Sequence, residues 1–579
     1  MNLEQPPSHN EGRRRRSPLA CDTCRERRTK CDGQRPKCSF CLNRSKECFY
    51  QRPQDPPPSP MEVELSRIWN QVEHITVAVR GQPPRSAPSP IAEQGYRSPG
   101  DHNASLEFPF MIVQSEAFMD LLGLDPSFHV LFEQLERGRQ KVSGRPSGLP
   151  IVMVDLQRAS ELLSAFAEQI HIWYPILHPD STDEFIEAVT SFFPFSVRSC
   201  LALLVLAIGC AVECDSIVQA LERRPEAIYI QAAMAMLPCV LADSGHRSIQ
   251  CLLLFAIYHL CCAQPCQAHD FVAMASYKLQ NSMVNGFEPD DDATQYSIMG
   301  NCFWSALLIE SEIRVQFDLV DSGVWSMSSF APAPTSIGPC TWAWNQSTHY
   351  ITLNALGNGE PMQLRTTPGS DPSYFIAEIA MRKMLQHCTW SFRTLSPGTH
   401  VYAPIMAAEL ERQLEEWHGL LPESLYFRTA STATCSGQRS RSSSAQVEFL
   451  RTQYFAFKAS IYWPAVYETL TAGSASPDLR VPCGRFFDSY AEFVVSAEAT
   501  IGVCKPNAWT LYTSIFTVSM AALNALKEAC LFEVIPLGAV QGLELAVDVF
   551  SRLADISPSL SKMGAILRER TLHLHRPSA

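Results

Sequence analysis

The chain has 579 residues, of which 46% are hydrophobic, so it can bury several hundred residues in one or more cores, and this excludes a wholly disordered protein. Its net charge of −12 is unfavourable for binding a polyanion, but the charge is unevenly distributed. Residues 1–60 hold 13 Lys and Arg against 7 Asp and Glu, whereas residues 61–579 hold 34 against 52. Because electrostatic attraction is screened beyond about 8–10 Å, a distant acidic body does not cancel the field of a small basic head.

The N-terminal segment, residues 1–20, is polar and contains four consecutive arginines, Arg13 to Arg16. We expect a disordered basic arm that contacts phosphates or acts as a nuclear import signal, although such a run can also be merely solvated. The segment has no apolar stretch typical of a signal peptide. We therefore expect reduced thiols and a nuclear location rather than a secreted, disulfide-bonded protein.

Six cysteines in residues 21–50 follow the repeated spacing C-x2-C-x6-C-x6-C-x2-C-x6-C. Each C-x2-C pair places two thiolates on one side of a helical turn, where both can bind one tetrahedral Zn²⁺ at about 2.3 Å. Two four-coordinate ions need eight metal–sulfur bonds, so six cysteines suffice only if two of them bridge both ions. A disulfide framework, a redox pair and a metal store are less favoured alternatives. The predicted zinc ligands are Cys21, Cys24, Cys31, Cys38, Cys41 and Cys48.

The cysteine segment resembles the fungal binuclear zinc-cluster transcription regulators over the whole of Ala20 to Tyr50. The resemblance implies a small domain of two short helices that holds two Zn²⁺ ions. In this family the first helix enters the major groove of double-stranded DNA end-on and reads a CGG-like triplet. The resemblance also divides the ligands: Cys21 and Cys38 bridge both ions, Cys24 and Cys31 complete one site, and Cys41 and Cys48 complete the other.

Basic side chains surround the cysteines, with 13 basic and 4 acidic residues between Arg13 and Arg52. By the resemblance, Arg27 and Arg28 lie on the first helix nearest the base edges, where a planar guanidinium can donate two hydrogen bonds to guanine O6 and N7. The same helix carries Arg25 and Lys30, which we expect to contact phosphates. Further candidate DNA contacts, for which plain solvation is the alternative, are Lys37, Arg44 and Lys46.

Two linkers flank a short heptad pattern after the cysteine segment. Residues 51–60 are rich in proline and predict a semi-rigid linker, and residues 81–105 predict a flexible one. In residues 61–80, apolar side chains alternate at intervals of four and three, which predicts a short coiled coil that makes the protein a homodimer. A helix packed on the body is the alternative. The expected dimerisation residues are Leu65, Ile68, Val72, Ile75 and Val79.

The remaining residues, 106–579, consist of long apolar-periodic segments with little strand-like alternation. We predict a mostly α fold class, with a large all-helical regulatory domain interrupted by a disordered loop at 428–445. The apolar runs Leu201 to Val212 and Cys251 to Ala263 are too short to span a bilayer, so we expect buried core helices and no membrane partner. Residues 161–186 resemble the start of the regulatory domain of the same family.

Catalytic signatures are not found in the sequence: Walker-type loops, Gly-x-Ser-x-Gly elbows and His-Glu-x-x-His helices do not occur. We therefore do not expect an enzyme. A second group of cysteines, Cys261, Cys262 and Cys266, follows an apolar helix. Buried core cysteines are the favoured interpretation, and a thiol sensor or metal site is the alternative.

The function that these features predict is zinc-dependent, sequence-specific regulation of RNA polymerase II transcription. The protein is expected to read CGG-like triplets and to control a metabolic or secondary-metabolite gene set. Its expected partners are double-stranded DNA, a second copy of the chain, the transcription machinery or co-regulators, and a small-molecule effector. The alternative is a helical co-regulator or metabolite-sensing scaffold in which the zinc cluster is only structural.

Overall fold

Two compact units make up the protein, a head within residues 1–98 and a body within residues 99–579. Helices dominate the body, and no strand occurs among the described residues, which confirms the predicted α-helical class. The basic arm, both linkers, the coiled coil and most of the loop at 428–445 lie outside those residues, so these domain boundaries stay predictions. Apart from short gaps, the computed structural model describes residues 20–48, 116–139, 151–284, 293–334, 373–395, 402–429 and 444–572.

The helices are numbered in chain order, and α1 of the head, Ser39–Asn43, has only five residues. Helix α4, Leu156–Phe166, continues into a π-helical turn at Ala167–His171. The helix bounds are α1 Ser39–Asn43, α2 Glu116–Leu121, α3 Phe128–Arg137, α4 Leu156–Phe166, α5 Ser181–Thr190, α6 Val197–Val212, α7 Ile217–Arg223, α8 Ala227–Ala235, α9 Leu237–Ala242, α10 His246–Cys261, α11 Pro265–Val284, α12 Ala293–Arg314, α13 Ser373–Leu395, α14 Pro404–Gly419, α15 Ala445–Ala472, α16 Pro477–Ile501, α17 Ala508–Ala525, α18 Leu537–Arg552 and α19 Pro558–Leu572.

Polar residues define where several body helices begin. The side chains of Asp155, Ser196, Ser216 and Ser444 each accept a hydrogen bond from the backbone amide three residues further on. Such caps satisfy amides that have no partner within the first helical turn. Local sequence thus fixes the starts of α4, α6, α7 and α15 before tertiary packing orients them.

The two apolar runs form core helices, as the sequence predicts. Every residue of α6 from Ser199 to Val212 is buried, and so is α10 from Ser248 to Tyr258. Helix α10 packs between α6 and α11, and in the C-terminal half α15 packs along α16. The buried apolar side chains of the described body form one continuous cluster from Met119 to Leu567.

None of the helices described for this chain is by itself long and apolar enough to cross a bilayer. One pair, α6 with α7, meets the length and hydropathy requirement only when the two are taken together across a 119° bend.

Helices α4 and α6 approach each other closely at Gly209, where a Cβ atom would lie 2.2 Å from the carbonyl oxygen of Leu162 and 2.9 Å from its carbonyl carbon. Because backbone atoms cannot rotate away, we expect Gly209→Ala to destabilise the body by about 3 kcal/mol. A lower midpoint of thermal unfolding, followed by circular dichroism, measures this effect. The matched control is Gly419→Ala, because a Cβ at Gly419 meets no atom within 4 Å. Equal midpoints for the two variants would contradict the close packing.

Three charged side chains form a largely buried cluster that joins α12 to α13. Arg382 of α13 donates a hydrogen bond to Glu312 of α12 and lies 3.5 Å from the carboxylate of Glu378. The side chains of Arg382 and Glu378 are only 7% and 6% exposed. Burial raises the pKa of Glu378 to about 7, an effect that Arg382 opposes and Glu312 reinforces.

This raised pKa makes the stability of the body depend on pH. Since the folded-state pKa of Glu378 lies above its ordinary value of 4.5, its contribution is fully present below about pH 4.5 and is lost as pH rises through 7. We expect the wild type to lose about 3 kcal/mol relative to Glu378→Gln between pH 5 and pH 8. Urea unfolding of both proteins at each pH measures the difference. A constant difference across this range would show that Glu378 is ionised throughout.

Candidate metal centre and nucleic-acid interface

The six predicted ligands of the head come together as two groups of four sulfur atoms that share Cys21 and Cys38. All sulfurs of a group lie within 4.8 Å of one another. The shared pair is 3.7 Å apart, and Cys21 also lies 3.7 Å from Cys41. The first group is Cys21, Cys24, Cys31 and Cys38, and the second is Cys21, Cys38, Cys41 and Cys48.

These separations suit zinc and not disulfides. Four thiolates arranged tetrahedrally at about 2.3 Å from a zinc ion are about 3.8 Å apart. A disulfide requires about 2.05 Å between sulfurs, whereas the sulfurs of Cys24 and Cys38 are 3.6 Å apart. Four soft thiolate donors with no carboxylate among them are a typical structural zinc site. The donor set therefore fits two Zn²⁺ ions.

The repeated sequence of the head is also a repeated structure. The carbonyl oxygens of Cys24 and Cys41 each accept a hydrogen bond from the amide five residues further on, at 3.0 and 2.9 Å. Each turn contains one residue in the left-handed region, Arg28 with φ 54° and Ser45 with φ 48°. The first helical turn therefore ends at Arg28, and Lys30 lies beyond it. This corrects the expectation that both residues lie on the helix, and the reason is the turn that returns the chain to the third cysteine.

Backbone amides donate to the sulfur that closes each half of the cluster. The amide of Cys21 lies 3.4 Å from the Cys31 sulfur, and the amide of Cys38 lies 3.3 Å from the Cys48 sulfur. Such donors disperse the negative charge of a thiolate and orient it toward a metal ion. The two halves thus present equivalent sulfur ligands.

Two polar contacts outside the cysteines tie the halves together, and the sequence did not point to them. Both carboxylate oxygens of Asp32 accept from the amide of Ser39 at 3.2 Å, and the Ser39 hydroxyl also donates to Asp32. On the other side, the Thr23 hydroxyl donates to the carbonyl oxygen of Glu47 at 2.7 Å. Asp32 therefore satisfies the first amide of α1, and its only sequence signal is an acidic residue directly after the third cysteine.

Burial controls the protonation of the shared thiols. Removal from water raises the pKa of Cys38 to about 12 and raises the pKa of Cys21 as well. Zinc binds thiolates and not thiols, so metal binding at this site must release protons.

The predicted DNA-contacting side chains remain on the surface of the head. Arg27, Arg28, Lys30, Lys37 and Lys46 are all exposed. One acidic side chain of the described head, that of Asp32, is bonded to Ser39. The head therefore presents a positively charged surface suited to phosphates.

Arg44 is also exposed, but its guanidinium lies 4.9 Å from the centroid of the Phe40 ring. This cation–π contact holds the charge close to the cluster. The remaining candidate, Arg25, lies outside the described residues. The same is true of the predicted dimerisation residues, Leu65, Ile68, Val72, Ile75 and Val79.

The second cysteine group, Cys261, Cys262 and Cys266, is buried in the body. Removal from water raises the pKa of Cys262 and of Cys266 to about 12 each. In the described part of the chain, the cysteine clusters close enough to hold a metal ion are those of the head. The interpretation as core cysteines is therefore the one that the structure supports.

Comparison with known protein families gives two matches. Residues 19–57 match the fungal Zn(2)-Cys(6) binuclear cluster domain, and residues 163–317 match the fungal specific transcription factor domain. The first match covers the whole cysteine cluster. The second covers the body from the second half of α4 through α12.

Individual relatives agree with these matches. The chain is 34% identical over 564 residues to a protein described as a transcription factor, ecdB of Aspergillus rugulosus, covering 94% of this chain and 96% of the relative. It is 30% identical over 155 residues to the transcription factor rglT of Aspergillus fumigatus, covering 24% of this chain and 35% of that protein. It is 39% identical over 59 residues to an ABC-transporter-regulating transcription factor of Aspergillus oryzae, covering 10% and 7%. No solved structure matches the chain.

Proposed function

The chain belongs to the fungal zinc-cluster transcription factors, a family of DNA-binding regulators and not of enzymes, and on that premise we propose that it reads CGG-like triplets in nuclear DNA. Two zinc ions form the cofactor of this family's binuclear cluster, and the six cysteines of the head lie close enough to hold them. The proposed ligands are Cys21, Cys24, Cys31, Cys38, Cys41 and Cys48.

The observation that carries the proposal is the pair of four-sulfur groups that share Cys21 and Cys38, with exposed basic side chains beside them. Arg27 and Arg28 lie three and four residues after Cys24, so a metal-bound cluster would anchor the backbone from which their side chains extend. A rigid support of this kind lets an arginine discriminate guanine by paired hydrogen bonds. Lys30, Lys37, Arg44 and Lys46 are proposed phosphate contacts, as is Arg25.

The rest of the chain is proposed to control which DNA sites are bound and how binding affects transcription. A homodimer formed through residues 61–80 places two heads on one site, and the linkers set the spacing between the triplets. The body contacts co-regulators or the transcription machinery and responds to a small-molecule effector. The proposed targets are a metabolic or secondary-metabolite gene set.

Binding-site selection from random DNA with the zinc-loaded full chain tests this function. We expect enrichment of sequences that contain CGG-like triplets, and affinity that falls with salt at a log–log slope of about −0.9 per phosphate contacted. A chain from which the metal has been removed by a chelator is the control and should enrich nothing. If the zinc-loaded chain also enriches no motif, the cluster is only structural and the protein is a co-regulator.

A further inference from the structure

The guanidinium of Arg44 lies over the aromatic ring of Phe40 at the end of α1. Its Cζ atom is 4.9 Å from the ring centroid, and a cation within about 6 Å of that point is attracted to the face of the ring. Residues 40 and 44 are separated by about one helical turn, so their side chains extend on the same side of the helix. The geometry of α1 thus brings an aromatic face and a cation together.

The ring of Phe40 is itself held in place by the cysteine cluster. Phe40 is half-buried and packs against the buried cysteines of the head, Cys21, Cys24, Cys38 and Cys41. The ring therefore has a support that Arg44, as an exposed residue, does not have directly. Through the ring, this support restricts a long side chain that is otherwise free to adopt many rotamers.

The contact with the ring leaves the hydrogen-bond donors of Arg44 available. Among the described residues, none supplies a carboxylate or another acceptor to this guanidinium. A neutral ring attracts the positive charge without cancelling it, whereas a carboxylate would neutralise it. The N–H groups of Arg44 can therefore bind the oxygens of a phosphate, for which a planar guanidinium is well suited.

The first half of the head treats the matching arginine differently. When the sequence is shifted by one cysteine repeat, Phe40 corresponds to Thr23, and Arg44 corresponds to Arg27. The Thr23 hydroxyl donates to the carbonyl oxygen of Glu47 at 2.7 Å, and threonine has no ring to offer to Arg27. An aromatic contact thus holds the arginine of the second half, and the matching position of the first half lacks it.

We propose that Phe40 is a positioning residue, which holds Arg44 ready to bind a phosphate of the DNA backbone. This inference rests on the proposed DNA binding and names a residue through which the second half of the head acts. Phe40 works through Arg44, because it lowers the conformational entropy that this side chain loses on binding. Since phosphates occur in every DNA sequence, the contact strengthens binding to all sequences and selects no triplet.

A double-mutant cycle with the zinc-loaded full chain tests this role. Phe40→Leu removes the ring and keeps an apolar side chain against the cysteines. We expect it to weaken binding about threefold, both to a duplex that contains a CGG triplet and to one that lacks it, because the attraction to the ring is lost. In a chain that also carries Arg44→Ala, the same change should have no effect, since no guanidinium remains to be held. Fluorescence anisotropy at low salt measures all four affinities.

Three controls separate positioning from packing. Phe40→Tyr keeps an aromatic face and should bind both duplexes at least as tightly as the wild type. When combined with Arg27→Ala, Phe40→Leu should keep its threefold effect, because in the described head the ring lies over Arg44 and not over Arg27. Elemental analysis should give equal zinc contents for Phe40→Leu and the wild type. If Phe40→Leu loses zinc, Phe40→Met takes its place, because methionine fills the same space flexibly and has no ring.

An equal loss of affinity from Phe40→Leu with and without Arg44 overturns the inference, because Phe40 then acts by packing alone. Unchanged or tighter binding by Phe40→Leu also overturns it, since the ring then contributes nothing or withholds Arg44 from DNA. A wild type that still selects a DNA motif leaves the proposed function standing in each of these cases. A wild type that selects no motif contradicts the proposed function itself, so the two failures are distinguishable.

Discussion

Replacing Cys21 or Cys38 by serine is expected to remove both zinc ions from the head and to abolish sequence-specific DNA binding. Each of these sulfurs belongs to both four-sulfur groups, so its loss leaves three sulfur ligands in each group. A structural zinc site contributes directly to the folding of so small a domain. We expect at least about a thousandfold loss of affinity for the selected site, which leaves only non-specific binding.

Matched substitutions separate this result from general damage. Cys31→Ser and Cys48→Ser each affect one group only, so each should retain about one zinc ion per chain. Cys530→Ser changes a half-buried cysteine of the body and should retain both. Zinc is measured by elemental analysis per chain, and DNA affinity by fluorescence anisotropy. Retention of two zinc ions and full affinity in Cys21→Ser or Cys38→Ser would refute the bridging roles.

Removal of the Arg28 guanidinium is expected to relax the preference for the triplet. One good bidentate contact to guanine contributes about 1–3 kcal/mol of discrimination between bases. Because Arg28 has a φ of 54°, alanine there retains the backbone strain, whereas glycine relieves it. Both Arg28→Ala and Arg28→Gly should lose triplet preference in binding-site selection, and Arg27→Ala should do so too.

A phosphate contact behaves differently and serves as the control. Lys46→Ala removes an exposed charge of the second half, so it should weaken binding to all sequences and reduce the salt slope by about 0.9. If Arg28→Gly keeps the full preference while Arg28→Ala loses it, then the position matters for the turn and does not read bases.

Much of the head was predictable because its ligands are set by spacing. The same cysteine spacing occurs twice, offset by the 17 residues between Cys21 and Cys38, and this repeat predicts two equivalent halves. The structure shows the same turn in each half. The left-handed backbone conformation of Arg28 and Ser45 could not be predicted from the sequence, because neither residue is the glycine or asparagine that usually adopts it. The hydrogen bonds from Ser39 to Asp32 were not predicted, because in the sequence both residues are indistinguishable from ordinary polar residues on the surface.

In the body, periodicity predicted helices and buried apolar runs, but it did not predict which distant side chains would meet. Trp173 precedes α5, whereas Glu378 lies on α13 and Phe449 on α15, and only tertiary packing brings the three together around a small cavity. In the sequence, each of these residues taken alone is interpreted as a core side chain or as a solvated charge. Contacts between residues so distant in the sequence have no local motif, so only the structure could reveal them.

The binuclear cluster is tested most directly by native mass spectrometry of the full chain, purified fresh under reducing conditions. Two four-sulfur groups that share Cys21 and Cys38 predict a mass increase equal to two zinc ions per chain. This increase is accompanied by the loss of one proton for each thiol that becomes a thiolate. A chain that carries no stoichiometric metal and still selects a DNA motif would contradict the proposed role of the cluster.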